Sequence, residues 1–223
     1  VTPGPAPIAV TMLVVAKAPV PGLAKTRLAA TLGELAAADL AAAALLDTLD
    51  AVAATPTIHR VVAMTGDLDR ACRADQIRTR LGDFTVVQQR GDGFADRLAN
   101  AHADAAVRRQ PVLQIGMDTP QVSPGLLGAC ARRLLTAPAV LGMACDGGWW
   151  VLGVTDGAMA ECLRGVPMSQ PDTGALTRAA LERNGIPVCL VEELHDVDTV
   201  DDIPPVRAAC QVSSRFAEVT QGV

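Results

Sequence analysis

Four stretches of the sequence gather residue types suited to holding phosphate groups and a hard cation. The first, Ala16-Lys17-Ala18-Pro19-Val20-Pro21-Gly22-Leu23-Ala24-Lys25-Thr26-Arg27-Leu28, sets Lys17, Lys25 and Arg27 within eleven residues. Pro19, Pro21 and Gly22 stiffen this loop before a helical pattern begins at Thr26. Cations on a constrained loop can surround phosphates, and a helix start adds oriented N–H groups. In the second stretch, Gly116-Met117-Asp118-Thr119-Pro120, a carboxylate flanked by glycine and proline follows an apolar run. Magnesium and manganese favour such oxygen ligands together with substrate phosphates.

The third stretch is Asp146-Gly147-Gly148-Trp149-Trp150. Its glycines permit close backbone approach or positive φ, and Asp146 offers a carboxylate. Alternation sends one tryptophan into the core and the other to the opposite face, where stacking on a base or contact with a sugar is open to it. The fourth, His195-Asp196-Val197-Asp198-Thr199-Val200-Asp201-Asp202-Ile203, packs four acids into seven residues. Asp196 or Asp198 could join Asp118 on one cation, whereas Asp201 and Asp202 read as a solvated turn before a helix.

Two familiar phosphate motifs are excluded. A P-loop ending at Lys25-Thr26 needs glycines where Pro19 and Ala24 stand. Gly91-Asp92-Gly93-Phe94-Ala95-Asp96 approximates a dinucleotide fingerprint, but an anionic Asp96 replaces its last glycine and would repel a pyrophosphate. Asp92 or Gly93 instead reads as the start of a helix whose N-terminus Asp96 complements, with Arg97 one turn in and able to face a cleft. His59, His102 and His195 stand alone, and no Ser or Cys has a nucleophile-elbow context.

The elements that position these stretches follow from periodicity. Strand-like runs occur at Ile8 to Val15, Arg60 to Met64, Phe84 to Val87, Val112 to Ile115, Val140 to Met143, Trp149 to Val154 and Ile186 to Val191. Helical segments lie between most of them; Ala42, Leu45, Leu46, Leu49 and Ala53 share one face of the clearest. Others run from Phe94 to about Arg108 and from Ser123, as N-cap, to about Leu135. Alternating strands and helices build a mostly parallel sheet covered by helices. The link Ala144 to Gly148 is too short for a helical crossover, so its two strands form an antiparallel or bent pair. No linker or repeat divides the chain, which reads as one domain over residues 1–223. In such sheets ligands collect beyond the carboxyl ends of the strands, where all four stretches fall.

At 223 residues, half of them hydrophobic, the chain can bury a sizeable core, and its net charge is −5. No Lys/Arg-rich run supplies the footprint of a nucleic-acid binder. Cys72, Cys130, Cys145, Cys162, Cys189 and Cys210 form no CxxC pair; they read as small buried residues kept reduced in the cytoplasm. Residues 1–7 are Pro-rich without a basic region, so they are expected to be flexible and not a signal peptide. No apolar run reaches bilayer length, which predicts no membrane insertion.

The ordered segments AKAPVPGLAKTRL, IGMDTP, VLGMACDGGWWVLG and DVDTVDDI closely resemble the DUF2064 family, from about Met12 to Ile203. That family resembles the nucleotide-diphospho-sugar transferase (GT-A) superfamily, with 2-phospholactate and molybdopterin-cofactor guanylyltransferases among its relatives. The resemblance implies a GT-A-like Rossmannoid three-layer sandwich, a mostly parallel mixed sheet flanked by helices. It further implies a Mg²⁺ or Mn²⁺ cofactor, an NTP or NDP-sugar substrate, and glycosyl or nucleotidyl transfer to an unidentified acceptor; it leaves room for a homodimer. On this basis Asp118 and Asp198 match the metal ligands. Lys17, Pro21, Gly22, Lys25, Thr26, Arg27 and Arg97 match the nucleotide and phosphate contacts. Asp146, Gly147, Gly148 and Trp149 fall to the acceptor, with Lys25 and Asp146 as catalytic candidates.

The sequence departs from the wider superfamily in three places. A lysine/proline loop replaces the glycine-rich LAGGxGxRxG loop, Gly116 stands where the first Asp of a DXD would be, and Met168 replaces a frequent tryptophan. The altered loop and the single-Asp motif give a second function class a basis: a nucleotide-binding module without turnover, inside a larger biosynthetic complex.

Overall fold

The computed structural model describes residues 6–106 and 110–223. The expectation for the N-terminal segment therefore lies, for residues 1–5, outside the described residues, as does that for Arg108 at the end of its helix. The strands are β1 (Ile8–Lys17), β2 (Thr57–Thr65), β3 (Thr85–Gln88), β4 (Val112–Ile115), β5 (Ala139–Ala144), β6 (Trp149–Val154) and β7 (Val188–Leu194). The helices are α1 (Thr26–Leu32), α2 (Glu34–Ala54), α3 (Ala74–Leu81), α4 (Phe94–Ala105), α5 (Pro124–Leu134), α6 (Thr173–Arg183), α7 (Ile203–Ala209) and α8 (Arg215–Val219).

All seven strands join one sheet in the order β3-β2-β1-β4-β6-β5-β7. Strand β6 pairs antiparallel with both β4 and β5, as the short Ala144–Gly148 link requires, and the remaining pairs are parallel. The chain goes outward from β1 through β2 to β3, then returns to place β4 on the other side of β1. That reversal opens a crevice between the carboxyl ends of β1 and β4. Val10, Met12, Leu13 and Val14 of β1 are fully buried, because a central strand of a parallel sheet is covered on both faces.

Met12, Val14, Leu113 and Ile115 pack on one face with Leu45, Leu46 and Leu49 of α2 and Leu127 and Leu134 of α5. Leu13, Val15 and Leu152 pack on the other with Leu98, Ala101 and Ala105 of α4 and Leu181 of α6. A third cluster joins Leu28, Leu40 and Ala44 to Val197, Ile203, Val206 and Phe216. Helix α2 is consequently buried on more than the single face its periodicity indicates: Ala37, Leu40 and Ala44 face the third cluster while Leu45 and Leu49 face the sheet.

Several boundaries differ from the sequence reading. Lys17 is the last residue of β1, paired with Thr65, and does not belong to the loop. Strand β7 begins at Val188 and continues through Glu192 and Glu193, since an edge strand can turn its acids to solvent. The cysteines correct a uniform buried reading. All six are free, but only Cys130 is fully buried, and Cys145 is exposed in the β5–β6 turn. No helix among the described residues is long and apolar enough to cross a membrane.

Candidate active site

The lysine/proline loop leaves β1 through a tight turn in which Leu23 N–H donates to Val20 O at 3.0 Å. Pro21 supplies a fixed φ and Gly22 the positive φ of 76° that such a turn needs. Lys17 Nζ donates to Leu23 O at 2.7 Å and closes the turn against the strand end. Lys25 then takes a left-handed backbone, φ 47° and ψ 52°, at the start of α1. A residue with a side chain costs roughly 1–3 kcal/mol in that region, so surrounding contacts must hold it there.

Those contacts are two carboxylates. Lys25 Nζ donates to Asp118 Oδ2 at 2.8 Å and to Asp198 Oδ1 at 2.7 Å, and the lysine side chain is only 13% exposed. Burial alone would lower its proton affinity, but attraction to Asp118 and Asp198 outweighs it and holds the ammonium charged. Arg27 Nη1 donates to the other oxygen of Asp198 at 3.2 Å from a far more exposed position. Burial pushes the Asp198 carboxyl up, yet Lys25 and Arg27 bring it below its ordinary value.

Gly116 makes room for Asp118. A Cβ at that glycine would lie 2.8 Å from Asp118 Oδ1. The absence of a first DXD acid thus has a local steric reason. Asp118 O accepts from Val197 N at 3.2 Å, which fastens the β4 end to the acidic segment after β7. Val197 is fully buried, so Asp196 and Asp198 on either side of it turn together toward Asp118. One oxygen from each of Asp118, Asp196 and Asp198 falls within 4.8 Å of the others. Both acids that alternate after β7 therefore reach the cluster. Asp196 is raised to about 7, first by burial and then by repulsion from Asp118, Asp146 and Asp198, with Lys25 opposing. Asp202 stays apart from the cluster, accepting from Thr199 N at 2.7 Å and Asp198 N at 3.0 Å and so capping the turn.

A cavity of about 520 Å³ opens beside this cluster. Lys17, Arg27, Arg97, Asp118, Asp146, Gly148, Trp149 and Asp198 of the expected residues line it, together with Asp196. Lys25 and Thr26 line a smaller neighbouring cavity of about 280 Å³. Pro21, Gly22 and Gly147 stand outside both linings and shape turns. Gly147, at φ 90°, lies so close to the 166–171 segment that a Cβ would sit 1.7 Å from Pro171 O. Asp146 Oδ1 accepts from Gly148 N at 2.7 Å, fixing the turn before β6. Trp150 is the core tryptophan, its Nε1 donating to Glu192 O at 2.8 Å. Trp149 faces the cavity, and its Nε1 donates to Thr177 Oγ1 at 3.2 Å.

The direction of Lys25 differs from the expected phosphate contact. Its ammonium is turned into the carboxylates, because a nearly buried cation takes the strongest anionic partners within reach. The sequence reading also passed over part of the lining. Gln89 Nε2 donates at 2.9 Å to both Ala16 O and Ala63 O, tying the ends of β1 and β2. Gln114, 2% exposed on β4, reaches the cavity floor. Its signal was present, a lone amide inside the otherwise apolar run Val112–Ile115; Gln89 carried none.

The family model described as "Uncharacterized protein conserved in bacteria (DUF2064)" matches residues 48–170, more than half of the chain. The chain belongs to that family. Its fold matches the crystal structure of a candidate nucleotide-diphospho-sugar transferase from Desulfovibrio desulfuricans G20. The TM-score is 0.84 at 24% identity, over 96% of this chain and 94% of that one. It also matches CMP:2-keto-3-deoxy-manno-octonic acid synthetase complexed with CTP, at TM-score 0.57 and 14% identity, over 89% and 97% of the two chains. Rv0371C from Mycobacterium tuberculosis H37Rv, solved with manganese, aligns at TM-score 0.55 and 20% identity, over 89% and 97%. These likenesses place the chain in the GT-A-like Rossmannoid fold. No curated protein matches it significantly.

Proposed function

We propose that this chain is a metal-dependent transferase that uses an activated nucleotide, an NTP or an NDP-sugar, and hands part of it to an acceptor in the cavity beside Asp118. The observation that carries this reading is the meeting of Lys25, Asp118, Asp196 and Asp198 at the carboxyl ends of β1, β4 and β7. Structures of the same fold add weight: one is described as a candidate nucleotide-diphospho-sugar transferase, one holds CTP and one holds manganese.

A divalent cation fits the donors present. All three carboxylates offer hard oxygens within 4.8 Å of one another, and Asp196 is raised first by burial and then by repulsion from its acidic neighbours, which a bound cation would relieve. Asp118, Asp198 and Asp196 would hold the ion, which when bound would neutralise phosphate charge and favour departure of the leaving group. Lys17, Arg27 and Arg97 line the same cavity and would bind the phosphates. Asp146 and Trp149, which line the same cavity, would orient the acceptor. An acceptor oxygen could attack the anomeric carbon of an NDP-sugar, releasing NDP, or the α-phosphorus of an NTP, releasing pyrophosphate. In either case the residues act by positioning and by charge stabilisation.

The engagement of Lys25 with carboxylates favours one alternative, a nucleotide-binding module that does not turn over. Calorimetry against NTPs and NDP-sugars, with and without Mn²⁺, tests the nucleotide and metal together, and product analysis with acceptor mixtures tests turnover. Asp118→Ala should abolish the metal-dependent part of nucleotide binding. Equal binding by wild type and variant in the presence of Mn²⁺ would remove Asp118 from the metal site. Binding without release of NDP or pyrophosphate would favour the module.

A further inference from the structure

We infer that Lys25 is a built-in counter-ion that occupies the carboxylate pair in the free protein and gives up that position only when a divalent cation arrives together with phosphate. The inference rests on the metal-dependent reading above and adds to it an order of binding. Its basis is geometric: a single ammonium bridges Asp118 and Asp198 at 2.8 and 2.7 Å. These are two of the three carboxylates that converge for a cation.

Three features make the arrangement a switch and not a fixed ion pair. Lys25 sits at the junction of the proline-stiffened loop and α1 with a left-handed backbone, a conformation held by its contacts and relieved when they are released. Its side chain lines the smaller cavity, which shares Lys17, Arg27, Met117, Asp118 and Asp198 with the larger one. A swung ammonium therefore stays beside the residues proposed to bind phosphate. Finally, Asp198 has a second cationic partner in Arg27, so one carboxylate of the pair keeps compensation when Lys25 leaves.

The consequence is coupling. A free divalent cation must compete with an ammonium that has two charge-assisted hydrogen bonds. When phosphate is present, Lys25 has a new anionic partner and the competition is relieved. Metal and phosphate then bind more tightly together than apart, and by linkage each raises the affinity of the other equally. Lys25 would thereby keep free divalent ions out of the site until substrate accompanies them.

Mn²⁺ titration followed by electron paramagnetic resonance gives the affinity for metal alone. Calorimetry with inorganic pyrophosphate, with and without Mn²⁺, gives the coupling. Lys25→Met should bind Mn²⁺ alone on the order of ten-fold more tightly than wild type, since two charge-assisted bonds no longer oppose entry. It should also lose most of the pyrophosphate coupling. Arg178→Met, which removes a surface cation of α6 outside both cavity linings, controls for charge alone and should leave the coupling intact. Equal coupling in wild type and Lys25→Met, with Mn²⁺ bound by both, would overturn the counter-ion role and leave the metal site standing. No Mn²⁺ binding by any variant, with or without pyrophosphate, would overturn the metal-dependent reading itself. If Lys25→Met fails to fold, the wild-type chain still decides the matter. The ¹⁵Nζ resonance of Lys25 should move when Mg²⁺ and pyrophosphate are added together, and its failure to move would refute the exchange.

Discussion

His102 gives the most direct test of the packing behind the cavity. It lies on α4, is fully buried, and neither ring nitrogen has a hydrogen-bond partner among the described residues. Burial lowers its pKa from the ordinary 6.5 to about 4, although the neighbouring Gln114 amide works in the opposite direction. Gln114 approaches without meeting hydrogen-bond geometry, so burial dominates. The sign follows from proton counting. Between pH 6.5 and 4 the unfolded chain binds a proton here that the folded chain refuses, so stability is full above 6.5 and falls as pH drops to about 4. At about 1.4 kcal/mol per pH unit of separation, the loss reaches roughly 3 kcal/mol at the acid end. His102→Leu removes both the titration and two unpartnered polar atoms. At pH 8 it should be neutral or stabilising by about 1 kcal/mol. Urea unfolding of both proteins at pH 8, 6 and 5 supplies the comparison, because carboxylate contributions common to both cancel in the difference. The advantage of His102→Leu should widen steadily as the pH is lowered. A difference independent of pH over this range would show that the imidazole is protonated or solvated in the folded protein, and the burial argument would be refuted.

Other substitutions separate the roles of adjacent residues. Gly147→Ala places a methyl group 1.7 Å from Pro171 O at a backbone φ of 90°; it should cost at least about 3 kcal/mol in urea unfolding, against less than about 1 kcal/mol for an ordinary surface site. Trp150→Ala removes a side chain 2% exposed and should destabilise by about 3–5 kcal/mol. Trp149→Ala should cost distinctly less stability while weakening acceptor or nucleotide binding in calorimetry. Gly116→Ala would push on Asp118 Oδ1 from 2.8 Å; because a carboxylate can rotate away, thermal stability should move little while Mn²⁺ affinity falls.

The strands were legible where punctuation was strong. Strands β4 and β6 coincide with their apolar runs because Pro111 and Gly116 bound the first, and Gly148 and Thr155 the second. Strand β7 was displaced because Glu192 and Glu193 look like an ending in sequence, yet an edge strand tolerates them. The wrapping of α2 was not legible at all. It depends on Asp47 accepting from Phe216 N at 2.8 Å and Arg215 N at 3.1 Å, contacts between residues far apart in the chain that no local period encodes. At the site, residue types and strand-end positions marked Asp118, Lys25 and either Asp196 or Asp198 as candidates, the resemblance chose Asp198, and the fold brings all four together. The direction of the lysine did not follow, because it depends on a left-handed backbone at a residue with no sequence sign of one.

The charge arrangement gives an acidic protein a way to hold the anionic substrate proposed for it. With a net charge of −5, the overall field repels phosphates, so attraction must be local. One strand end, Lys17, and one helix start, Lys25 to Arg27, supply cations to the crevice between β1 and β4, while the end of β4 supplies Asp118 and the segment after β7 brings Asp196 and Asp198. If cations and acids simply neutralised each other, the crevice would be inert. They do not: among the described residues Lys25 and Arg27 answer Asp118 and Asp198, while Asp196 has no cationic partner of its own and its carboxyl is raised to about 7, first by burial and then by its acidic neighbours. Lys17 and Arg97 meanwhile face the cavity without a carboxylate bond among the described residues. Acids and bases lining one cavity suit a ligand that is itself divided, a divalent cation carried on a phosphate. Free phosphate would meet the acids and a free cation the bases, so neither alone satisfies both sets of groups.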